Sequence, residues 1–395
     1  MSAVPAPGSV TTIFIVAGEH SGDALGAKLM AGLKTLGSGK FRFAGVGGHE
    51  MEGEGLVSLF PIEDVAVMGP LNILKALPRL RRRVLTTVDA AIAAQPDVVI
   101  IIDSPEFTHP ITKRIRRRAP HIPIIDYVSP SVWAWRPGRA KKMRAYVDEI
   151  LALLPFEPEA HERLGGPHCT YVGHPLIERL PDIASADAAA LAARAGIALG
   201  QPVLLALPGS RRSEVERLVD VFGETVAVLR DRVPGLAVVI PAVAHVRPLI
   251  EARSKNWKIA PIIVDGHADK YAAMKLARAA LAASGTVTLE LALANLPMAV
   301  AYKVDPVAAP FLRRMIKAKT VVLANLVLGE NAFPEFLQED CNAARLANAL
   351  IPLLGESPER RAQLAALARI PARVALPSGM PSEAAARAVL RVLGE

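Results

Sequence analysis

Short apolar runs alternate with longer amphipathic segments along the chain. In the first half, runs rich in β-branched residues predict buried strands at Thr12–Val16, Phe41–Val46, Val98–Ile102, Ile122–Val128, Ile150–Leu154 and Thr170–Val172. A second series predicts strands at Val203–Leu207, Ala237–Ile240, Ile259–Val264, Ala279–Ala283 and Met298–Tyr302. Because strands that alternate with helices form parallel sheets, the pattern predicts an α/β fold with two Rossmann-like domains facing a cleft.

The strand and helix alternation is interrupted once, by a segment rich in Ala and Pro that has no strand pattern. This predicts a first domain over residues 1–175, a linker over 176–200 and a second domain over 201–341. The remainder, 342–395, is rich in Ala, Leu and Arg and predicts a helical C-terminal tail.

Composition narrows the classes of partner. The net charge of +8 favours an anionic partner, but only 5% of residues are aromatic and no basic run is interleaved with aromatics, which disfavours nucleic acid. Cys169 and Cys341 lie far apart without a CxxC context, which predicts no disulfide framework, no metal site and a cytoplasmic protein. The most apolar long stretch, Leu281–Tyr302, is interrupted by polar residues and Pro, so we expect no membrane-spanning helix.

Small-residue turns follow two strands of the second half, where they would bring backbone amides to a phosphate. The candidate nucleotide-binding residues are Gly209, Ser210, Arg211, Ser284, Gly285, Thr286 and Glu290. Two anion-binding turns in one domain predict a nucleotide diphosphate, with Glu290 accepting hydrogen bonds from the ribose hydroxyls. The alternatives are a tight turn with a surface Arg211 and a solvated helical Glu290.

Acidic residues follow two strands of the first half. Asp103 comes directly after a fully apolar strand, where partial desolvation would raise its pKa and suit it to act as a general base. Glu19 and Asp23 lie in the turn after the first strand. For all three acids, capping or dipole stabilisation of the next helix is the structural alternative.

A basic amphipathic segment in the first half predicts peripheral membrane contact. Leu71, Leu74 and Leu77 recur at helical spacing beside Arg81 and other cations, as in a helix that binds an anionic bilayer surface. The segment 310–319 repeats this combination in the second half. A core-facing helix with a solvated basic face is the alternative.

One string identifies a family. The run 126–136, with the turn 17–19, resembles the lipid-A-disaccharide synthases, bacterial inverting glycosyltransferases of the two-Rossmann GT-B type. Further strings that carry the resemblance lie at 154–157, 172–174, 207–211, 283–286, Asn325 and 335–338. The family transfers 2,3-diacylglucosamine from its UDP derivative to 2,3-diacylglucosamine 1-phosphate, and forms a β-1,6 disaccharide 1-phosphate and UDP. It needs no metal or other cofactor.

The resemblance also implies roles for individual residues. By position, Asp103, Glu19, Arg211 and Asn325 match the functionally important residues of the family. It further implies location at the inner face of the cytoplasmic membrane. It also implies that the C-terminal segment 342–395 packs back on the first domain or, exchanged within a homodimer, on the partner protomer.

Other functions remain as alternatives. A UDP-sugar 2-epimerase shares the two-domain architecture and the diphosphate turn, but it needs no basic apolar segments. A non-catalytic nucleotide-sugar or lipid-binding protein would not need Asp103. A nucleic-acid binder rests on net charge alone.

Overall fold

The chain folds into two compact units. In the computed structural model, the described residues are 10–66, 70–305, 309 and 318–394, with the backbone alone at 70–75. One unit runs to Ile177 and resumes at Leu376, and the other spans Glu178–Ala375. Most of the segment expected to be a linker thus belongs to the second unit, and the tail divides between the units.

The first unit is built on a seven-stranded parallel sheet. Its strands are β1 Val10–Ala17, β2 Lys40–Val46, β3 Val57–Ser58, β4 Val98–Ile102, β5 Ile124–Tyr127, β6 Glu149–Ala152 and β7 His168–Tyr171. They lie in the order β3-β2-β1-β4-β5-β6-β7. Every residue of β4 is buried, since helices cover both faces of a parallel sheet.

Helices connect these strands. They are α1 His20–Leu36, α2 His49–Gly53, α3 Pro70–Ala94, α4 Pro105–Arg118, α5 Gly138–Met143 and α6 Glu157–Arg163, with 3₁₀ turns at Ile62–Asp64 and Pro175–Arg179. The amphipathic segment of the sequence is thus the start of α3, which continues through Pro78. In α3, Leu77 and Arg81 are exposed, whereas the side chains of Leu71 and Leu74 and the segment 310–317 lie outside the described residues.

The second unit is built on a six-stranded parallel sheet. Its strands are β8 Val203–Leu207, β9 Ala237–Pro241, β10 Ile262–Val264, β11 Ala279–Ala283, β12 Met298–Tyr302 and β13 Glu335–Leu337, in the order β10-β9-β8-β11-β12-β13. Its helices are α7 Leu180–Ser185, α8 Ala188–Ala195, α9 Arg212–Arg230, α10 Arg247–Ser254, α11 Gly266–Leu276, α12 Val287–Leu293, α13 Leu323–Leu328, α14 Ala343–Leu354, α15 Pro358–Leu367 and α16 Ile370–Val374.

The last helix, α17 Pro381–Leu393, returns to the first unit. Its buried residues Ala385, Ala386 and Val389 join the core around β1 and β4. The helical C-terminal region predicted from composition is confirmed. Across the described residues, no helix has the length and apolar character needed to cross a membrane.

Candidate functional site

Two of the three acids predicted in the first unit, Glu19 and Asp103, lie at the same edge of its sheet. Strands β1 and β4 are parallel neighbours, with Ala17 paired to Ile102, so Glu19 and Asp103 follow adjacent strand ends. The turns touch at Gly18, where an added Cβ atom would lie 2.4 Å from the Cβ of Ser104. Glycine at 18 therefore permits the close approach of the two turns.

Asp103 is held in an unusual backbone conformation. Its φ is +51° and that of Ser104 is +46°, values that non-glycine residues adopt at a cost of about 1–2 kcal/mol each. Asp103 Oδ1 accepts a hydrogen bond from the Ser104 amide at 2.7 Å, and its carbonyl accepts one from Thr108 Oγ1 at 2.8 Å. These bonds fix the half-buried carboxylate between β4 and α4.

The two acids of the first turn differ in role. Asp23 is buried and its carboxylate accepts hydrogen bonds from the amides of Gly48, Glu50 and Met51 at 2.7, 3.0 and 3.1 Å, so it caps α2. Glu19 is half-buried and accepts from Ser21 Oγ at 2.5 Å. The structural alternative accounts for Asp23, whereas Glu19 stays a candidate.

A buried histidine lies on α4 behind Asp103. His109 contacts Asp126 Oδ2 through Nε2 and the Tyr146 hydroxyl through Nδ1, both at 3.1 Å. Burial raises the pKa of Asp126, although the hydrogen bond from His109 opposes this rise. His109 lies on α4, Asp126 lies in β5 and Tyr146 follows α5, so the three side chains tie these elements together beneath the edge of the sheet. Sequence reasoning missed it because nothing local marks the partners of His109.

The run 126–136, which carries the family resemblance, contributes to a second buried cluster of side chains. Ser129 Oγ lies 2.8 Å from His161 Nε2, and Trp133 Nε1 donates to Glu157 Oε1 at 3.1 Å. Burial raises the pKa of Glu157 to about 7, although hydrogen bonds from Leu154 and Trp133 lower it. Burial also lowers the pKa of His161 to about 4. The string thus anchors the loop after β5 to α6.

A cavity of about 780 Å³ opens at the carboxyl edge of the second sheet. It contains every nucleotide-binding residue predicted from the sequence: Gly209, Ser210, Arg211, Ser284, Gly285, Thr286 and Glu290. Strands β8 and β11 are parallel neighbours, which brings the two small-residue turns together. The segments after β9 and β10 complete the wall with residues that the sequence did not single out, among them Arg247 at the start of α10, Asp265 before α11 and Lys270 on α11.

The turn after β8 already holds a carboxylate. Gly209 has a φ of +122°, and the amides of Ser210 and Arg211 donate to Glu214 Oε2 at 3.2 and 3.3 Å. Arg211 Nη1 donates to Glu214 Oε1 at 3.3 Å. These donors lie at the start of α9, where the helix dipole favours negative charge. An anionic ligand in the cavity would take the place of Glu214 on them.

Glu290 is paired within the cavity. It is 7% exposed, and Lys270 Nζ donates to both of its carboxylate oxygens at 2.7 and 2.6 Å. Ser284 Oγ donates to the Val321 carbonyl at 2.6 Å, which ties the second turn to the chain before α13. Lys270 lies twenty residues before Glu290 along the chain, so no local spacing announced the pair.

Asn325 lies on α13 and is buried. Its amide nitrogen donates to the Phe333 carbonyl and its oxygen accepts from the Phe333 amide, both at 2.9 Å. Asn325 thus holds the loop before β13, and it is not among the residues that line the cavity.

Comparison with known proteins identifies the family. A sequence model of the lipid-A-disaccharide synthetases matches residues 13–374. The lipid-A-disaccharide synthase of Nitrobacter winogradskyi is 52% identical over 383 residues, with 97% of this chain and 96% of that protein covered. That of Rhodopseudomonas palustris is 51% identical over 387 residues, covering 98% and 97%. The chain belongs to the lipid-A-disaccharide synthase family.

Solved structures agree on the fold. The UDP-GlcNAc 2-epimerase from Neisseria meningitidis, bound to UDP-GlcNAc, has a TM-score of 0.66 at 12% identity and covers 98% of this chain and 100% of its own. A glycosyltransferase from Rickettsia africae has a TM-score of 0.60 at 11% identity, covering 97% of both chains. The predicted α/β fold of the GT-B type is confirmed, and at these identities the epimerases share the fold alone.

Membership of the lipid-A-disaccharide synthase family confirms the functional class predicted from the sequence. The protein is a glycosyltransferase of lipid A biosynthesis that takes sugar-nucleotide and lipid-linked substrates.

Proposed function

We propose that the enzyme transfers 2,3-diacylglucosamine from its UDP derivative to 2,3-diacylglucosamine 1-phosphate, releasing UDP and a β-1,6-linked disaccharide 1-phosphate. The cavity of the second unit carries this proposal, since all seven predicted nucleotide-binding residues line it. A nucleotide diphosphate matches its chemistry: amides at two turns for the phosphates and a carboxylate for hydroxyl groups.

The diphosphate would bind at the turns that begin α9 and α12. The amides of Ser210 and Arg211 would exchange Glu214 for a phosphate, and the Arg211 guanidinium would add a charge-assisted hydrogen bond. Arg247 and Lys270 add further cations to the cavity wall. These groups supply fixed positive charge where negative charge develops on departing UDP, so we propose a metal-independent reaction.

Asp103 would act as the general base. It would take the proton from the acceptor 6-hydroxyl as that oxygen attacks the anomeric carbon of the donor sugar. The bond from the anomeric carbon to the β-phosphate oxygen breaks with its electron pair leaving on UDP, so an attack from the opposite side inverts the configuration. Glu19, which follows the adjacent strand end, would orient the same hydroxyl or share the proton.

The decisive assay gives purified full-length protein UDP-2,3-diacylglucosamine, with and without 2,3-diacylglucosamine 1-phosphate, in detergent with EDTA. We expect UDP release and disaccharide formation only with the acceptor, and undiminished by the chelator. An epimerised UDP-sugar without disaccharide would instead favour the epimerase alternative. If EDTA abolished the activity and Mg²⁺ restored it, only the proposed metal independence would be refuted, and the proposed reaction would stand.

We also propose that the enzyme binds the inner face of the cytoplasmic membrane through α3. Leu77 is 49% exposed and Arg81 is exposed one turn further along, an arrangement suited to an anionic bilayer surface. The protein is expected to co-sediment with vesicles that contain anionic lipid, and Leu77→Asp is expected to weaken this binding. Leu85→Asp is the control, because Leu85 is 44% exposed on the same helix but eight residues further on. Equal losses in the two variants would contradict a contact localised at the start of α3.

A further inference from the structure

Two arginines after β5 share one carboxylate beside Asp103. Arg139 Nη2 donates to Glu106 Oε1 at 2.7 Å, and Arg136 Nη1 donates to the same oxygen at 3.4 Å. Glu106 lies in the first turn of α4, three residues after Asp103. Burial acts to raise the pKa of Glu106, but the hydrogen bond and charge of Arg139 and the charge of Arg136 lower it below its ordinary value. The two guanidinium groups therefore hold an anion next to the proposed base.

The arrangement is poorly explained as a stabilising ion pair. The Glu106 side chain is 75% exposed, and exposed pairs contribute about 0–1 kcal/mol. Arg136, in contrast, is held at some cost: its φ is +57°, a left-handed conformation that is strained for arginine. Its guanidinium stacks over Trp135 at 4.2 Å from the ring centroid, which fixes the group while leaving it 47% exposed.

Donor capacity remains for a further anion. A guanidinium carries five N–H donors, and the hydrogen bonds found among the described residues use one from Arg136 and one from Arg139. Arg136, Arg139 and Glu106 together have a net charge of +1. If the Glu106 carboxylate moved away, the N–H donors of two adjacent guanidinium groups would become available. Paired guanidinium groups suit the tetrahedral oxygens of a phosphate better than lysines do, because their geometry is fixed.

We propose that Arg136 and Arg139 bind the phosphate of the sugar 1-phosphate acceptor, with Glu106 occupying that position until the acceptor arrives. This inference rests on the proposed function, in which Asp103 takes the proton of the acceptor 6-hydroxyl. The phosphate on C1 and the hydroxyl on C6 lie on opposite sides of one pyranose ring. Anchoring the phosphate beside the start of α4 thus orients the ring and directs its 6-hydroxyl to Asp103.

The test compares two acceptors in wild-type and variant enzyme. They are 2,3-diacylglucosamine 1-phosphate and the same lipid without its phosphate. Both are supplied in detergent micelles at a constant concentration of the UDP-sugar donor. Arg136→Ala is expected to raise KM for the phosphorylated acceptor by about 10- to 100-fold, the range of a lost charge-assisted bond, with little change in kcat. The unphosphorylated acceptor is expected to react equally well with both enzymes. Arg136→Lys is expected to recover part of the loss.

Two further variants sharpen the result. Arg117→Ala removes one positive charge from the exposed far end of α4 and is expected to leave both KM values unchanged. Glu106→Gln removes the competing carboxylate and is expected to lower KM for the phosphorylated acceptor. If Arg136→Ala impairs both acceptors equally, or neither, the phosphate site is refuted.

A binding measurement separates this inference from the proposed function. Equilibrium binding of both lipids to wild type and Arg136→Ala needs no turnover. Wild-type enzyme that forms no disaccharide but prefers the phosphorylated lipid through Arg136 would contradict the proposed reaction and support the phosphate site. Disaccharide formation without an Arg136-dependent preference for the phosphorylated lipid would do the reverse.

Discussion

The carboxyl edges of the two sheets present their chemistry differently. In the second unit, the small-residue turn after β8 presents backbone amides at the cavity, those of Ser210 and Arg211. In the first unit, side chains carry the candidate chemistry, and in the turn after β4 the residues in left-handed conformation are Asp103 and Ser104 rather than glycine. A turn that binds anions can be built from the main chain. A base requires a particular side chain even where the backbone disfavours it.

This difference has a cost in conformational energy. Two non-glycine residues in left-handed conformation after β4 cost about 1–2 kcal/mol each, whereas Gly209 adopts its φ of +122° without a clash of its own Cβ. The first unit buries the contacts of His109 with Asp126 and Tyr146. Variants that remove one kind of group at a time test how far the division between side chain and main chain holds.

The largest expected effect is the loss of the base. Asp103→Asn keeps an oxygen that accepts from the Ser104 amide, and Asn tolerates the left-handed conformation as Asp does. It cannot accept the acceptor proton, so kcat is expected to fall by about 10³-fold, within the range for general bases. UDP affinity, measured by calorimetry, is expected to stay unchanged because the nucleotide cavity is formed by the second unit.

The matched control is Asp97→Asn. Asp97 precedes β4, at the opposite end from Asp103, where it accepts from the Thr12 amide at 2.7 Å. The same chemical change there is expected to leave kcat within about twofold, since surface substitutions are mostly mild. A fully active Asp103→Asn enzyme would overturn the assignment of the base.

A smaller effect is expected from the buried Glu157. Its pKa is about 7 in the folded protein against an ordinary 4.5, so the folded state binds the proton more tightly than the unfolded chain. The resulting stabilisation is complete below pH 4.5 and is lost as the pH rises to about 7. The free energy of unfolding of wild type, relative to Glu157→Gln, is therefore expected to fall by about 3 kcal/mol across this window. Denaturant titrations at several pH values measure this difference.

Comparison with a non-titrating variant is essential because His161, with a pKa of about 4, opposes this slope. Because folded His161 stays neutral, its contribution to the free energy of unfolding decreases as the pH falls. This decrease occurs in wild type and in Glu157→Gln alike, so it cancels in the difference. Glu159→Gln, the same change on the exposed side of α6, is the control for the substitution itself. A pH-independent difference for Glu157→Gln would contradict the raised pKa of Glu157.

The strands and the anion-binding turns were predictable from the sequence because their signals are local. Val98–Ile102, Val203–Leu207, Ala279–Ala283 and Met298–Tyr302 begin and end where the apolar runs predicted. Strands β3 and β13 were missed, since two or three residues at a sheet edge form no apolar run. The gathering of both turns around one cavity follows from the pairing of β8 with β11.

The side-chain pairs could not be predicted, because their members lie on different elements. His109 and Asp126 are 17 residues apart, and Lys270 and Glu290 are 20 apart, with no fixed spacing to announce a contact. The same limit applies to Asn325, whose type matched the family but whose bonds to the Phe333 backbone became apparent only in the folded chain.

The smallest expected effect tests the main-chain side of the comparison. A Cβ added at Gly209 would lie 2.5 Å from the Cβ of Glu214, so Gly209→Ala forces the turn to change shape and re-aims the amides of Ser210 and Arg211. We expect the Kd for UDP to rise about 10-fold, in line with about 1–2 kcal/mol of strain. Gly196→Ala is the control: Gly196 also has a positive φ, +65°, but it ends α8 in open space, so the variant is expected to lose stability without losing UDP affinity. Arg211→Ala removes the side chain and keeps the amides. If its loss of affinity far exceeds that of Gly209→Ala, the side chain dominates the anion site, and the contrast between the two sheet edges fails.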